Sequence, residues 1–251
     1  MELRAFGVKT PIITPSTDIL KTVLDLKLDL KDRDILIIAS KVIAIAENSI
    51  RELKSVRPSA QAHNLAKKTD LAAEFVQIIL EEADEILDYA PGVLLTLRKN
   101  ILQANAGVDQ SNAIPGTVTL LPRDPAGTAL YLHHQIFKKT GKKVAIIISD
   151  SKTNPLRRGT SGIALGVAGM AAVSDERGKE DLFHHIMRIT WRAIADNLVC
   201  LSQLIMGETA EQTPIVIVRG YPYQPVELET SKNAIIAPEL CLYKKMYRKE
   251  D

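Results

Sequence analysis

The sequence contains little cysteine and few aromatic residues. Only Cys200 and Cys241 occur among 251 residues, too few for a disulfide framework or a four-thiolate zinc site. A secreted disulfide-rich mini-protein and a zinc finger are therefore excluded, and a reducing cytoplasm is the expected compartment. Four Phe, six Tyr and one Trp also offer few platforms on which the bases of a single-stranded nucleic acid would stack.

Neither a charge excess nor a long apolar run is present. The 32 Lys and Arg nearly balance the 30 Asp and Glu, so the basic excess that drives nucleic-acid binding is missing. The one dense basic cluster is Lys244, Lys245, Arg248 and Lys249, which we interpret as a solvated helix end. No stretch approaches the roughly 18 uncharged apolar residues of a membrane span, and residues 1–6 lack the apolar core of a signal peptide. We expect a cytoplasmic protein that binds neither nucleic acid nor membrane.

What remains is the composition of a globular protein, with 46% hydrophobic and 25% charged residues. Apolar runs of strand length predict strands at 34–39, 117–121, 144–148 and 215–218, and a hairpin at 93–104. Apolar residues at three- and four-residue spacing predict helices at about 58–89, 126–137 and 189–205. These elements lack the regular spacing of a doubly wound sheet, which favours an α+β (mixed α/β) enzyme of two interlocked lobes with mixed sheets.

Three oxygen-rich turns carry the candidate chemistry. They are Asp109 with Ser111 and Asn112, Asp150 with Ser151, and Glu208 after Gly207. Each lies in a loop or just beyond a regular element, where a rigid scaffold can direct it into a shared cleft. Carboxylates brought together repel one another unless a cation neutralises them, and Mg²⁺ or Mn²⁺ prefers such oxygen ligands. This donor set suits phosphoryl transfer from a nucleotide; the alternative for each acid is a solvated loop residue or a helix cap.

The remaining motifs give weaker indications of function. The chain has no Gly-x4-Gly-Lys-Ser/Thr loop, and the glycines at 159–169 suit tight packing or an anion-binding backbone nest. Neighbouring residues on a helix point about 100° apart, so we expect neither histidine pair, 133–134 nor 184–185, to chelate a single metal. Cys200 is interpreted as a packing residue. Lys41 either pairs with phosphate or is an exposed lysine.

Several segments together resemble one known family. They are 39–47, 74–82, Asn105-Ala-Gly-Val-Asp-Gln-Ser-Asn112, 121–125, 146–150 with 157–162, and 204–208 with 218–220. In this order they resemble the coenzyme F420-0:glutamate ligase family, whose members add glutamate through a γ-linkage to a deazaflavin cofactor. The resemblance covers about residues 1–220. It implies a GTP- or ATP-dependent, amide-forming ligase that uses L-glutamate and a small acidic acceptor. It further implies a homodimer whose chain forms one ligase unit over 1–251, with a discontinuous inner lobe around 90–185.

The resemblance also implies roles for individual residues. Asp109 and Asp150 resemble ligands of one Mg²⁺ or Mn²⁺, while Glu208 and Ser151, which stands where the family has Thr, resemble ligands of a second. Asp109, Asp150 and Glu208 are thereby the catalytic candidates. The implied nucleotide contacts are Pro11, Ile12, Ile13, Thr14, Ser40, Lys41, Asn112 and a stretch to Thr213 that begins with Met206, Gly207, Glu208 and Thr209.

Three positions depart from the family pattern. Ile45 stands where relatives have a lysine credited with nucleotide contact, which leaves the preference for GTP open. Asn154 and His185 stand where relatives have arginines, the usual bidentate partners of carboxylate and phosphate. Two alternatives to the leading hypothesis therefore remain: a ligase that glutamylates folate or another pterin-like acid, and a nucleotide-binding homologue without catalytic activity.

Overall fold

The computed structural model of the protein describes residues 2–243. Its strands are β1 (Arg4–Val8), β2 (Ile35–Ala39), β3 (Ile50–Glu52), β4 (Glu85–Ala90), β5 (Val93–Arg98), β6 (Ile101–Ala104), β7 (Thr117–Thr119), β8 (Ala145–Thr153), β9 (Thr160–Met170), β10 (Ser174–Asp175), β11 (Trp191–Arg192), β12 (Ile215–Arg219) and β13 (Pro225–Glu229). Its α-helices are α1 (Ile19–Asp25), α2 (Ser40–Ala46), α3 (Ala60–Thr69), α4 (Ala73–Glu82), α5 (Pro125–Thr140) and α6 (Ile194–Met206). The basic tail interpreted above as a helix end lies outside the described residues. Within 2–243, no helix combines the length and the apolar character needed to cross a membrane.

A six-stranded mixed sheet forms the centre of the molecule. Its strand order is β1-β12-β2-β8-β9-β13, in which β2 and β8 run parallel and all other neighbours run antiparallel. The apolar residues 35–38 and 145–148 are completely buried, as expected for strands covered on both faces. The strands predicted at 34–39, 144–148 and 215–218 are confirmed, as is the α+β class.

Helices cover both faces of this sheet. On one face α6 packs in a core with β2, β8 and β12, and on the other face α1, α2 and α5 form a second core. Gly166 in β9 allows α5 its close approach, since a Cβ at Gly166 would lie 2.2 Å from the carbonyl oxygen of Pro125. The predicted helix at 126–137 is confirmed, and Gly141 ends it with a φ of 71°.

A third core lies away from the central sheet. It is built from α3, α4, β5 and β7 and holds buried residues from Val56 to Val118. The predicted hairpin is confirmed: β5 and β6 are joined at Lys99 and Asn100, which have φ of 49° and 61°, as a two-residue turn with two positive φ angles requires. The inner lobe expected around 90–185 stays a prediction.

Four local predictions are wrong. The helix predicted over 58–89 is interrupted at Asp70, whose φ is 60°, and its last part is strand β4. A polar loop is expected at Ser40 and Lys41, directly after the strand predicted at 34–39, but Ser40 is instead the start of α2. The turn predicted at 150–151 is a continuation of β8. The helix predicted over 189–205 begins only at Ile194, because residues 191–192 pair with β10.

Candidate active site

The candidate site lies where several chain segments meet at one end of the central sheet. β2 and β8 run parallel with Ala39 beside Ser149, so the residues that follow in both strands emerge at the same end. β12 is antiparallel to β2, with Ile215 beside Ile38, and β1 ends at Val8 beside Ile215. The segments after β1 and before β12 therefore arrive at this end as well. In mixed α/β sheets, ligands commonly bind beyond the carboxyl ends of parallel strands.

A cleft of about 470 Å³ opens at this end of the sheet. Of the residues predicted for the site, those lining the cleft are Pro11, Ile12, Ile13, Ser40, Lys41, Asp109, Asn112, Asp150, Ser151, Met206, Gly207, Glu208 and Thr209. Thr14 is not part of the lining and instead bonds locally with Thr17. The structure thus brings together residues separated by almost 200 positions in the sequence. Their catalytic, metal-binding and nucleotide-binding roles stay predictions.

Lys41 holds the loop 109–111 in place. Its ammonium group forms an ion pair with Asp109 and donates to the backbone oxygen of Ser111 at 2.6 Å and to Ser111 Oγ at 2.9 Å. Ser111 in turn donates to both carboxylate oxygens of Asp109, at 2.8 and 2.6 Å. Burial would by itself raise the pKa of Asp109, but the hydrogen bonds from Lys41 and Ser111 outweigh it and lower the pKa.

Asp150 has the opposite electrostatic environment. Burial raises the pKa of the Asp150 carboxyl from 3.8 to about 6, and the negative charge of Asp109 acts in the same direction. Hydrogen bonds from the Ser151 backbone and the Ser40 side chain, with the charge of Lys41, oppose the shift without cancelling it. The ionised carboxylate of Asp150 is therefore short of compensating positive charge, as expected where a cation is to be bound.

Two contacts join the cleft walls. Asn112, with a φ of 50°, donates through its amide nitrogen to the backbone oxygen of Thr209 at 2.8 Å. Glu208 accepts from the hydroxyl of Thr160 at 3.4 Å. The loop at 109–112 is thus connected to the segment before β12, and the exposed Glu208 has one contact with the start of β9.

The oxygen ligands of the cleft and their spacing fit a divalent metal that is also bound by substrate and water. Asp109, Asp150, Ser151 and Glu208 all offer oxygen ligands, which Mg²⁺ and Mn²⁺ prefer. Among the described residues, however, no three carboxylates of the cleft have ligand atoms within 4.8 Å of one another. That spacing suits Mg²⁺, which is usually held by one or two carboxylates together with substrate phosphates and water. It does not suit a closed all-protein cage.

The two histidine pairs lie in different surroundings, and the expectation that neither chelates a single metal stays a prediction. His133, His134 and Glu227 offer ligand atoms that all lie within 4.8 Å of one another, the one such group found in residues 2–243. Helix geometry separates neighbouring side chains at their base, but the imidazole rings converge, with centroids 5.3 Å apart. The other pair, His184 and His185, is exposed and bonds to Glu180 and Asp181.

Sequence reasoning missed several residues of the site. Gln103 in β6 is 3% exposed and donates to Asp150 at 3.4 Å, while its own Oε1 has no hydrogen-bond partner among the described residues. Ser149 and Gln203 also line the cleft. The one available signal was a polar Gln within the apolar hairpin strand 101–104, and nothing in the sequence connects that position to Asp150.

A second cavity adjoins the cleft along β8. Its volume is about 570 Å³. Asp150 and Ser151 of β8 line the cleft, and the next two residues of the strand, 152–153, line this cavity. Its walls are largely apolar, from β5, β6, β9 and residues 231–243. Asn154 lies in this cavity, whereas Ile45 lines the cleft and His185 lies in neither. The three departures from the family pattern are therefore at three separate places.

The comparisons with known proteins all point to one family. The sequence model of the family described as F420-0:Gamma-glutamyl ligase matches residues 7–220. The chain is 38% identical over 220 residues to the Coenzyme F420:L-glutamate ligase of Methanocaldococcus jannaschii, covering 87% of this chain and 88% of the relative. It is 36% identical over 211 residues to the enzyme of the same name from Methanothermobacter thermautotrophicus, covering 84% of each chain. The relative from Archaeoglobus fulgidus is 36% identical over 88% of each chain.

Proposed function

Because the chain belongs to the F420-0:gamma-glutamyl ligase family, we propose that it is a nucleotide- and divalent-metal-dependent γ-glutamyl ligase that adds L-glutamate to coenzyme F420-0 or a related acidic acceptor. The observation that carries the proposal is the convergence of Lys41, Asp109, Asp150, Ser151 and Glu208 on one cleft. A triphosphate needs this combination of cationic, hydroxyl and metal-binding groups.

The metal ligands are Asp109 and Asp150 at one position and Ser151 and Glu208 at another. These residues would hold divalent cations, whose charge would offset that of the phosphate oxygens during phosphoryl transfer. The raised pKa of Asp150 supports this assignment, since its half-buried carboxylate lacks sufficient positive charge in the chain itself. Lys41 has a related role: its ammonium group stands at Asp109 and is placed to share the negative charge of the nucleotide.

The nucleotide, GTP or ATP, occupies the cleft between residues 11–13, the start of α2 and residues 206–213. Here a terminal carboxylate oxygen of the acceptor attacks the γ-phosphorus, and the bond from that phosphorus to the β,γ-bridging oxygen breaks. The amine of glutamate then attacks the acyl carbon of the resulting acyl phosphate, loses a proton and displaces inorganic phosphate. Holding the reactants in one cleft lowers the entropic part of both barriers.

The apolar cavity beside the cleft is the proposed place of the acceptor's ring system. A flat, largely apolar ring fits its walls, and β8 leads from the cavity to Asp150, where the acceptor carboxylate has to react. Asn154→Arg restores the positive charge that relatives have at this position. We expect it to lower the KM for coenzyme F420-0 roughly tenfold, as one charge-assisted hydrogen bond would do. Ile236→Arg, which adds the same charge at an exposed residue elsewhere in the cavity, is the matched control.

The activity is tested with purified protein, labelled glutamate and each combination of GTP or ATP with coenzyme F420-0 or folate. Label in the deazaflavin product that requires nucleotide and Mg²⁺ or Mn²⁺ is the expected result. Label passing to folate and never to the deazaflavin would establish the folate alternative instead. Nucleotide binding that is indifferent to either metal, without label transfer, would support the non-catalytic homologue.

We also place the active form in the cytoplasm as a homodimer. Leu182, Phe183 and Ile189, in the segment between β10 and β11, are 88%, 75% and 87% exposed. Apolar side chains grouped in this way mark an association surface. Sedimentation should show a dimer that Leu182→Glu weakens, while Leu204→Glu, at a leucine equally exposed on α6, leaves it intact. A monomeric wild-type protein would contradict the proposal.

A further inference from the structure

One cluster of metal-binding side chains is left unused by the proposed reaction. His133 and His134 lie on α5, and Glu227 lies on the edge strand β13. Val144, which bonds to His133, directly precedes β8 and is about 20 Å along the chain from Asp150 at the rise of an extended strand. The cluster therefore lies toward the opposite end of the sheet from the cleft.

We propose that His133, His134 and Glu227 form a separate site for a divalent transition metal of the zinc type. Their ligand atoms lie within 4.8 Å of one another, and His133 Nε2 is 3.5 Å from Glu227 Oε2. Two ligands at about 2.0–2.1 Å from a tetrahedral zinc ion lie about 3.3 Å apart. The spacing already present is thus close to that of a loaded site. Imidazole with one carboxylate is a donor set typical of zinc and its neighbours, and not of Mg²⁺.

The contacts around His133 prepare it as a ligand. Its Nδ1 is 2.7 Å from the backbone oxygen of Val144, so Nδ1 donates its hydrogen there, and in the neutral ring Nε2 carries the lone pair that a metal requires. Metal-binding histidines usually have such a second hydrogen bond, which fixes ring orientation and tautomer. Gly169 leaves the space for the ring, since a Cβ there would lie 2.7 Å from His133 Nδ1.

Glu227 is oriented in the same manner. The ammonium group of Lys143 donates to Glu227 Oε1 at 3.2 Å and leaves the other oxygen facing His133. His134 and Glu227 are both exposed, so an ion reaches the site from solvent and water completes its coordination.

Binding at this site would add a link between α5 and β13. β13 pairs with β9 at only two register positions, with a shift between them. A metal ion shared by α5 and β13 would fix this edge strand to the helix beside it. An ion that binds only the folded protein stabilises the fold by mass action, so the site has a readout independent of catalysis.

The test uses the tag-free, full-length protein with Mg²⁺ in excess, so that the cleft does not compete for the probe. Zn²⁺ binding is measured by competition with a chromogenic chelator, and Co²⁺ is added separately to record its ligand-field absorption. We expect one Zn²⁺ per chain, a Co²⁺ spectrum of nitrogen and oxygen ligands, and a higher melting temperature with Zn²⁺.

His134→Ala and Glu227→Gln are the variants of choice, because both side chains are exposed and the buried His133 stays in place. Each should weaken Zn²⁺ binding about tenfold or more and abolish the Zn²⁺-dependent rise in melting temperature, with unchanged circular dichroism. The double variant His184→Ala, His185→Ala removes the other adjacent pair and should bind Zn²⁺ as wild type does. Unaltered Zn²⁺ affinity in His134→Ala and Glu227→Gln, or no bound Zn²⁺ in wild type, would overturn the proposal.

Discussion

The environment of Asp150 predicts that one substitution will raise stability and remove activity together. Burial raises the pKa of Asp150 from 3.8 to about 6, and one pKa unit corresponds to about 1.36 kcal/mol. The ionised carboxylate therefore destabilises the folded, metal-free protein by up to about 3 kcal/mol. Between these two pKa values the folded state binds more protons than the unfolded state. Stability accordingly falls as the pH rises through this window and stays lower above it.

Asp150→Asn removes the ionisable group at nearly constant volume. With metal removed by a chelator, we expect the variant to be more stable than wild type by up to about 3 kcal/mol at about pH 8, with the difference vanishing near pH 4. For a chain of this length, that corresponds to a rise of roughly 6–12 °C in melting temperature. Urea unfolding at several pH values measures this difference in stability. The glutamate incorporation assay measures the activity of the variant, and we expect no turnover.

Asp109→Asn is the matched control within the same cleft. Its hydrogen bonds with Lys41 and Ser111 lower the pKa of Asp109, so the ionised form stabilises the folded protein at neutral pH. That stabilisation is lost as the pH falls through the lowered pKa. Asp109→Asn should therefore be less stable than wild type. A loss of stability in metal-free Asp150→Asn at about pH 8, or a difference that does not change with pH, would refute the reasoning.

Three further substitutions test the fold and the cleft. Arg219 donates twice to the completely buried Asp34, both at 2.7 Å. Arg219→Met should therefore lower the free energy of unfolding in urea by about 3–5 kcal/mol. Arg4 is the exposed cross-strand partner of Arg219, and Arg4→Met should lower it by less than about 1 kcal/mol. Gly166→Ala drives a methyl group into a carbonyl of α5 and should lower stability by about 1–3 kcal/mol in thermal unfolding. Lys41→Met removes a charged donor from the cleft and should raise the nucleotide KM about tenfold or more in steady-state assays. An unchanged KM would contradict the proposed role of Lys41, whatever the melting temperature of the variant.

The strands of the central sheet were predictable because their signal is local. Runs such as 35–38 and 145–148 are apolar at every position, the pattern of a strand buried on both faces. Local signals failed where tertiary contacts decide. The apolar spacing of 58–89 continues past Asp70, where the chain turns, and the end of that segment becomes a strand because β5 offers it a partner.

The carboxylates of the cleft could be singled out from the sequence alone, whereas its nucleotide contacts were predictable only through the family resemblance. Composition and spacing singled out Asp109, Asp150 and Glu208, but not that Lys41 lies on Asp109 or that Gln103 reaches Asp150. Both contacts depend on how β6 and the loop after it approach β8, which no local pattern encodes. The same holds for Glu227, whose carboxylate lies beside the histidine pair of α5 but comes from β13, more than 90 residues later.

The outer strand β13 carries several features that hinder its pairing with a strand of another molecule. Pro225 has no backbone N–H to donate to an incoming strand, Glu227 and Glu229 would bring like charges together, and the irregular register disturbs the regular ladder of donors and acceptors. Charge, proline and a bulge are the means by which natural sheets prevent edge-to-edge aggregation. At this edge, two copies of the chain are consequently expected to meet through side-chain surfaces and not to continue the sheet from one molecule into the next.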